Sequence, residues 1–273
     1  MERLAYSTDV TDEQWFIIEP YVRTSGLGRK PKHEKREFIN SIFYQARTGC
    51  AWRLLPHDLP PWSTVYKRFE TWRDTGIWDR LLEGLRRAVR VAAGRDPEPT
   101  AGAIDTQSVP TGGKRGGCFG YDAGKQVSGR KRHTIVDTLG ILLAVEVQSA
   151  SVQDPVGAPS VIAEAKRRAP KLQLLWGDGR YSGPTVEAAA TTAGLRVEVV
   201  KKPADQKGFQ VLPHRWVVER TFGWFGKYRR LAGRDFETNP SNSETWIKLC
   251  MCNLLVRRLT SPLKWQQKKQ NLI

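Results

Sequence analysis

Apolar positions recur at helical spacing through the first third of the chain and give way to strand-like runs after residue 100. Thr11 or Asp12 caps a helix predicted through Tyr21, with Trp15, Ile18 and Val22 on one face. His33 to Thr48 reads as a second helix, with Phe38, Ile42, Gln45 and Ala46 in register and Gly49 as its stop. Leu59-Pro60-Pro61-Trp62 is a rigid turn, and Ser63 caps a third helix through Trp72 with Val65, Phe69 and Trp72 as its apolar face. A fourth helix covers Trp78 to Ala93. Residues 94–100 contain two prolines and no periodicity, which marks a linker. The predicted organisation is a helical domain over 1–93, that linker, and a second domain over 101–273.

In the second domain, Ala101 to Gln107 reads as a strand, and residues 131–138 and 141–148 as a hairpin around Leu139-Gly140. An amphipathic helix over 154–169, a strand over 171–176, a helix over 184–193 that opens on proline, and a strand over 195–200 follow. Helices over 214–231 and 243–259 close the chain. Three early strands and then alternating helices and strands predict an α/β fold, a mixed sheet with helices on both faces. The Gly112–Gly117 stretch lacks a Gly-Lys-Ser/Thr ending and opens no helix, so a nucleotide-binding loop is not expected.

Composition narrows the function. Hydrophobic residues make up 40% of the 273 positions, enough for a real core and too many for a disordered chain. No apolar run reaches membrane-spanning length, and the N-terminus does not read as a secretory signal. The four cysteines form no Cys-x-x-Cys pair and the four histidines are scattered, so zinc is not expected and the thiols read as reduced and cytosolic. The net charge of +16 points to a polyanion, with nucleic acid foremost; a merely soluble basic protein is the competing reading.

Three acids then carry the chemistry. Asp105 ends the apolar approach Ala103-Ile104, Asp178 ends Leu174-Leu175-Trp176-Gly177, and Glu219 lies in a helical stretch, Arg215-Trp216-Val217-Val218-Glu219. Two acids at strand ends and a third on a later helix can meet at one point. Carboxylates without thiolates suit hard cations such as Mg²⁺. A pair of such ions, roughly 3.5–4 Å apart, is the usual device for in-line displacement at phosphorus. Each acid also has an ordinary reading: cap or turn for the two Asp, and an i−4 pair with Arg215 for Glu219. Asp137 in the hairpin and Asp154 at a helix start read as turn and cap residues; Asp122, Glu146 and Asp235 are weaker candidates.

The chain resembles the DDE transposases of bacterial insertion sequences, in the insertion-sequence-five family and its relatives. The resemblance rests on motifs in order along nearly the whole chain. These are Thr11-Asp12-Glu13-Gln14-Trp15, Arg47-Thr48-Gly49-Cys50-Ala51-Trp52-Arg53-Leu54-Leu55-Pro56, Pro60-Pro61-Trp62-Ser63-Thr64-Val65-Tyr66, Gly129-Arg130-Lys131-Arg132-His133, Val136-Asp137-Thr138-Leu139-Gly140 and Val218-Glu219-Arg220-Thr221-Phe222-Gly223-Trp224. It implies an RNase H-like core in which Asp105, Asp178 and Glu219 hold two Mg²⁺ ions, with Mn²⁺ as a substitute. It further implies cleavage at the inverted-repeat ends of the element and joining to target DNA, by a homodimer in the synaptic complex, in the bacterial cytoplasm at the nucleoid. An RNase H-like nuclease without transposition and a domesticated DNA-binding regulator are the alternatives. The relatives often carry Tyr and Lys flanking the Arg and Glu; here Leu212 stands at the Tyr position and Gly226 at the Lys position, with Lys227 one residue late. That departure puts any DNA-hairpin step in doubt.

Basic residues supply the expected DNA contacts: Arg29, Lys30 and Lys32 in a loop, Lys67, Arg68 and Arg73 on the third helix, Arg130, Lys131, Arg132 and His133 beside the acids, and Arg215, Arg220, Lys227, Arg229 and Arg230 around Glu219. A solvated helical bundle, and for Arg130–His133 a charged strand edge that deters aggregation, are the competing readings.

Overall fold

The computed structural model describes residues 3–22, 32–112, 118–200 and 214–261. Arg29 and Lys30, most of the Gly112–Gly117 loop, and Leu212 lie outside the described residues. The chain divides into two compact units. The first runs through Arg95 and takes in Tyr228–Leu231 and the described residues from Lys248 onward; the second holds Asp96–Lys227 and Ala232–Ile247. The change at Arg95 falls inside the predicted linker, but no single cut separates the units, because the chain returns to the first near its end.

In the first unit, α1 (Asp12–Val22), α2 (Lys35–Thr48), a 3-10 turn at Trp52–Leu54, α3 (Trp62–Asp74) and α4 (Ile77–Ala92) follow one another. Thr11 and Gln14 form a reciprocal capping box, each side chain accepting from the other's backbone N–H at 3.2 Å. Phe38, Ile42, Val65, Phe69 and Trp72 are buried, as the periodicity requires. Gly49 closes α2 in a left-handed conformation, φ +70°. Ser63 is not the cap of α3; the helix begins one residue earlier, behind Pro61. The second half of α9 (Pro240–Leu259) joins this unit, with the Cys252 thiol against the Trp78 carbonyl and Lys248 paired to Asp79 at 2.8 Å.

The second unit is built on a sheet of six strands: β1 (Ala101–Pro110), β2 (Gly120–Asp122), β3 (Val127–Asp137), β4 (Leu142–Ser149), β5 (Leu174–Gly177) and β6 (Arg196–Val199). Its main order is β4-β3-β1-β5-β6, with the short β2 beside the start of β3. β3 is antiparallel to β1 and to β4, whereas β1, β5 and β6 are parallel. Helix α5 (Asp154–Arg168) covers one face, packing Val161, Ile162 and Ala165 over Ile104, Ile135 and Leu143. Helix α7 (Trp216–Phe225) covers the other, packing Val217 and Val218 on Ala103 and Val136. This is the RNase H-like arrangement expected. β2, three residues long, is too short to leave a period in the sequence. The helix predicted over 214–231 is broken: α7 stops at Phe225 before Gly226, and α8 is the short turn Arg229–Ala232. Helix α6 (Pro184–Thr192) lies between β5 and β6 in the chain.

Candidate active site

Strand alternation places the acids. Residues 103 and 105 share one face of β1, and Ala103 lies under α7, so the Asp105 side chain belongs to the α7 face. β5 pairs with β1 only through Ala103↔Trp176. Asp105 and Asp178 each lie two residues beyond that last pair, on the same face, where the strands part. Asp105 is therefore not at the end of its strand, since β1 continues to Pro110; it sits at the fork left by the shorter β5.

Local hydrogen bonds orient both carboxylates. The backbone N–H of Thr106 donates to Asp105 Oδ1 at 2.7 Å, and that of Arg180 donates to Asp178 Oδ1 at 2.9 Å. Arg180 belongs to the 3-10 turn Gly179–Tyr181, which Asp178 caps. A Cβ on Gly177 would stand 2.9–3.0 Å from the Tyr181 ring, so the residue before the acid must be glycine for the turn to close. Arg215, just ahead of α7, brings Nη2 to 3.9 Å from Asp178 Oδ2. His214 stacks on Trp176, with ring centroids 4.3 Å apart.

Burial pushes the Asp105 carboxyl up to about 6; the Thr106 N–H and Lys125 oppose the shift and Asp178 adds to it. A part-buried carboxylate repelled by a second one is the setting that a hard cation relieves. Asp105 and Asp178 therefore fit a divalent ion. Glu219 does not complete the set: it is exposed, and no group of three metal-ligating side chains is assembled among the described residues. It does stand one residue beyond Val218, on the helix packed over the Asp105 strand.

The β3–β4 turn holds α7 in place. Asp137 accepts from the backbone of Leu139 and Ile141 at 2.9 and 2.8 Å, and Gly140 adopts φ +76°. Thr221 donates to the Gly140 carbonyl at 2.7 Å, and Arg220 to the Leu139 carbonyl at 3.0 Å. The Arg220 guanidinium lies between Trp216 and Trp224, 4.2 and 4.7 Å from their centroids. Half-buried there, it fastens a helix to a turn. Burying Val217 and Val218 beneath it contributes roughly 1.5–3 kcal/mol each.

Arg130, Lys131, Arg132 and His133 require a larger correction. All four are buried. β3 is a central strand with partners on both sides, so its side chains enter the interior; neither the DNA-contact reading nor the strand-edge reading suits it. Arg130 meets Asp235 at 3.3 Å, Ser243 at 3.1 Å and the carbonyls of Thr238 and Cys118 at 3.0 Å. Lys131 bridges Asp154 at 2.9 Å and Asp122 at 3.3 Å. Arg132 donates to Gln107 at 3.1 Å. Burial depresses His133 to about 4, which keeps it neutral against α5.

The remaining expected contacts divide by exposure. Lys32, Lys67, Lys227 and Arg229 are exposed; Arg68, Arg73, Arg215 and Arg230 are half-buried. Arg68 lies over Phe38 and Trp72, and Arg73 pairs with Asp74 at 2.7 Å. The basic strip after Glu219 is not one helical face, because α7 ends at Phe225 and Arg229 and Arg230 belong to the first unit. Sequence reading missed Lys125, Asp154, Arg180 and Tyr181 around the two acids. Arg180 and Tyr181 stand two and three residues after Asp178; Asp154 carried only a capping signal, and Gln153 takes the cap position instead.

Comparison with known proteins places the chain in a family. A family profile described as "Putative transposase of IS4/5 family" matches residues 10–82, and one described as "Transposase DDE domain" matches residues 96–255. The "Insertion element IS402 uncharacterized 16.2 kDa protein" of Burkholderia cepacia is 32% identical over 108 residues, covering 37% of this chain and 71% of that protein. "Uncharacterized protein y4sN" of Sinorhizobium fredii (strain NBRC 101917 / NGR234) is 32% identical over 77 residues, 28% of this chain and 62% of its own length. The "Putative transposase for insertion sequence element IS402" of B. cepacia is 27% identical over 131 residues, 45% of this chain and 61% of that protein. With the second profile spanning more than half of the chain and lying over the unit that carries Asp105 and Asp178, the chain belongs to the DDE transposases of insertion sequences.

Proposed function

We propose that this transposase cleaves DNA at the inverted-repeat ends of its element and joins them to target DNA by metal-dependent phosphoryl transfer. The observation that carries the reading is the Asp105–Asp178 pair at the fork of β1 and β5, with one carboxyl part-buried and raised to about 6 beside the other. Asp105 and Asp178 would hold divalent cations, two Mg²⁺ ions or Mn²⁺ in their place, and Glu219 would join them from α7 once DNA and metal are bound. Bound cations supply Lewis acidity at phosphorus and neutralise the charge that develops on oxygen. The protein fixes the acids with backbone donors and keeps Arg215 against Asp178. The helical unit would read the element ends and the second unit perform the chemistry, in a homodimer that holds one end per copy at the nucleoid. No helix among the described residues is long and apolar enough to cross a membrane.

The test is incubation of the full chain with Mg²⁺ and duplexes that carry the inverted repeats flanking its gene. End-specific nicking and strand joining are expected. Equal cutting of random DNA would support a plain nuclease instead, and tight end binding without any cutting a regulator.

The exposed side of α3 offers Ser63, Thr64, Lys67 and Thr71, while its other side is core. One lost phosphate contact lowers the slope of log affinity against log salt by about one unit. Lys67→Ala is therefore expected to flatten the salt dependence of end binding by that amount and leave the melting temperature unchanged. An unaltered slope would remove α3 from the interface.

A further inference from the structure

A buried polar cluster lies across the sheet from the two acids, on the α5 face. Asp154, the first residue of α5, is 4% exposed and does not cap its own helix. Its Oδ1 accepts from Thr106 Oγ1 at 3.1 Å and pairs with Lys131 Nζ at 2.9 Å; its Oδ2 takes Arg180 Nη1 at 3.1 Å. Thr106 and Arg180 are also the residues whose backbone N–H groups orient Asp105 and Asp178. One buried carboxylate thus holds the side chains of the two residues that aim the two acids. Lys131 ties it to Asp122, and Lys125 Nζ closes the cluster on the Thr106 carbonyl at 2.7 Å.

We infer that Asp154 is a positioning residue that sets the separation of Asp105 and Asp178, and through it their affinity for a divalent cation. Strand β1 fixes Thr106, but Arg180 lies in a turn whose main-chain anchor is Asp178 itself. Tyr181 seats the turn in the core on the α5 side, and among the described residues Asp154 is the carboxylate that ties the Arg180 side chain to that face, so its loss loosens the part of the turn that aims Asp178. Asp154 is not itself a metal ligand, since both of its oxygens already face cationic or hydroxyl donors. Burial pushes its carboxyl up, and the hydrogen bonds from Lys131 and Arg180 outweigh that and hold it below the ordinary range. The inference rests on the reading of Asp105 and Asp178 as cation-binding acids.

The test uses Asp154→Asn in the full-length protein, which keeps the shape and the Thr106 contact and removes the charge. Mn²⁺ binding without DNA is measured by calorimetry, and cleavage of end DNA is resolved into kcat and KM. Affinity for Mn²⁺ is expected to fall about 10–100-fold, in the range found for outer groups that orient metal ligands. kcat should fall with KM unchanged, and excess Mn²⁺ should restore it in part, which a merely structural role would not allow. Arg180→Ala removes only the tie to the turn, at a half-exposed side chain, and should lower Mn²⁺ affinity in the same direction. Unchanged Mn²⁺ affinity in folded Asp154→Asn overturns the inference, as does unchanged affinity in Arg180→Ala if the first variant does not fold. Asp105→Ala and Asp178→Ala are measured alongside. If they retain cleavage and Mn²⁺ binding, the proposed function itself fails; if they lose both while Asp154→Asn loses neither, only the role of Asp154 fails.

Discussion

Asp105→Asn is expected to abolish metal-dependent cleavage of end DNA and, without divalent cations, to raise the melting temperature at pH 7.5. Both outcomes follow from one carboxyl group. Folding moves it from the ordinary Asp value of 3.8 to about 6, so the folded state prefers it protonated. The stability this contributes is fully present below about 3.8 and is lost as the pH rises through about 6. Two pKa units correspond to roughly 3 kcal/mol, which water reaching the part-buried group reduces to about 1–2 kcal/mol. The neutral amide keeps that stability at every pH. The gain should therefore vanish near pH 4, and thermal melts at both pH values in EDTA decide the matter. Cleavage falls because an amide is a poor ligand for a hard cation. Asp178→Ala and Glu219→Ala should each lose at least about a hundredfold in rate while DNA affinity survives, since removing a carboxylate only adds to an excess of positive charge. Near wild-type cutting by any one variant would withdraw that residue from the site. Glu219 is the most exposed to this outcome, because the fold brings it near the acid-bearing strand without joining it to the other two.

Arg130→Met should destabilise the fold rather than weaken its grip on DNA. The Arg130 guanidinium is fully buried and pins Asp235, Thr238 and Ser243 to the sheet. Asp235 in turn accepts from Ser243 at 2.6 Å and bonds through its backbone to Pro110 and Gly112. Removing the cation leaves a buried carboxylate without its counter-charge, which costs about 3–5 kcal/mol. Replacing both members, Arg130→Met with Asp235→Leu, should recover much of the loss because no buried charge remains. Denaturant midpoints of the two single variants and the double variant form the required cycle. A DNA-contact residue would give the opposite pattern: an unchanged midpoint, a lower salt slope, and no rescue by the second substitution.

The amphipathic helices were legible because burial on one side leaves a period. Phe38 and Ile42 in α2, and Val65, Phe69 and Trp72 in α3, are core positions that spacing alone identifies. Asp105 and Asp178 stood out in the sequence because an apolar run stops at each of them, and the fold sets both at the fork of β1 and β5. The basic run Arg130–His133 was misread for a physical reason. Sequence period shows that a segment is a strand, but not whether that strand is central or at an edge. A charge on a solvent-facing edge and a charge with a buried partner a hundred residues away look the same in one dimension. The helix over 214–231 was overrun because two glycines weaken helix propensity without forbidding it.

The sequence by itself determined most of the elements, their order and the family motifs, since each depends on neighbours within a few residues. Tertiary structure decided what the charges do. It took Arg130, Lys131, Arg132 and His133 inside the second unit, gave Asp154 a role across the sheet instead of a helix cap, and set Asp105 beside Asp178 where β5 leaves β1. The free energy of a charged side chain depends on its partners and on its access to water, and only the folded chain fixes those.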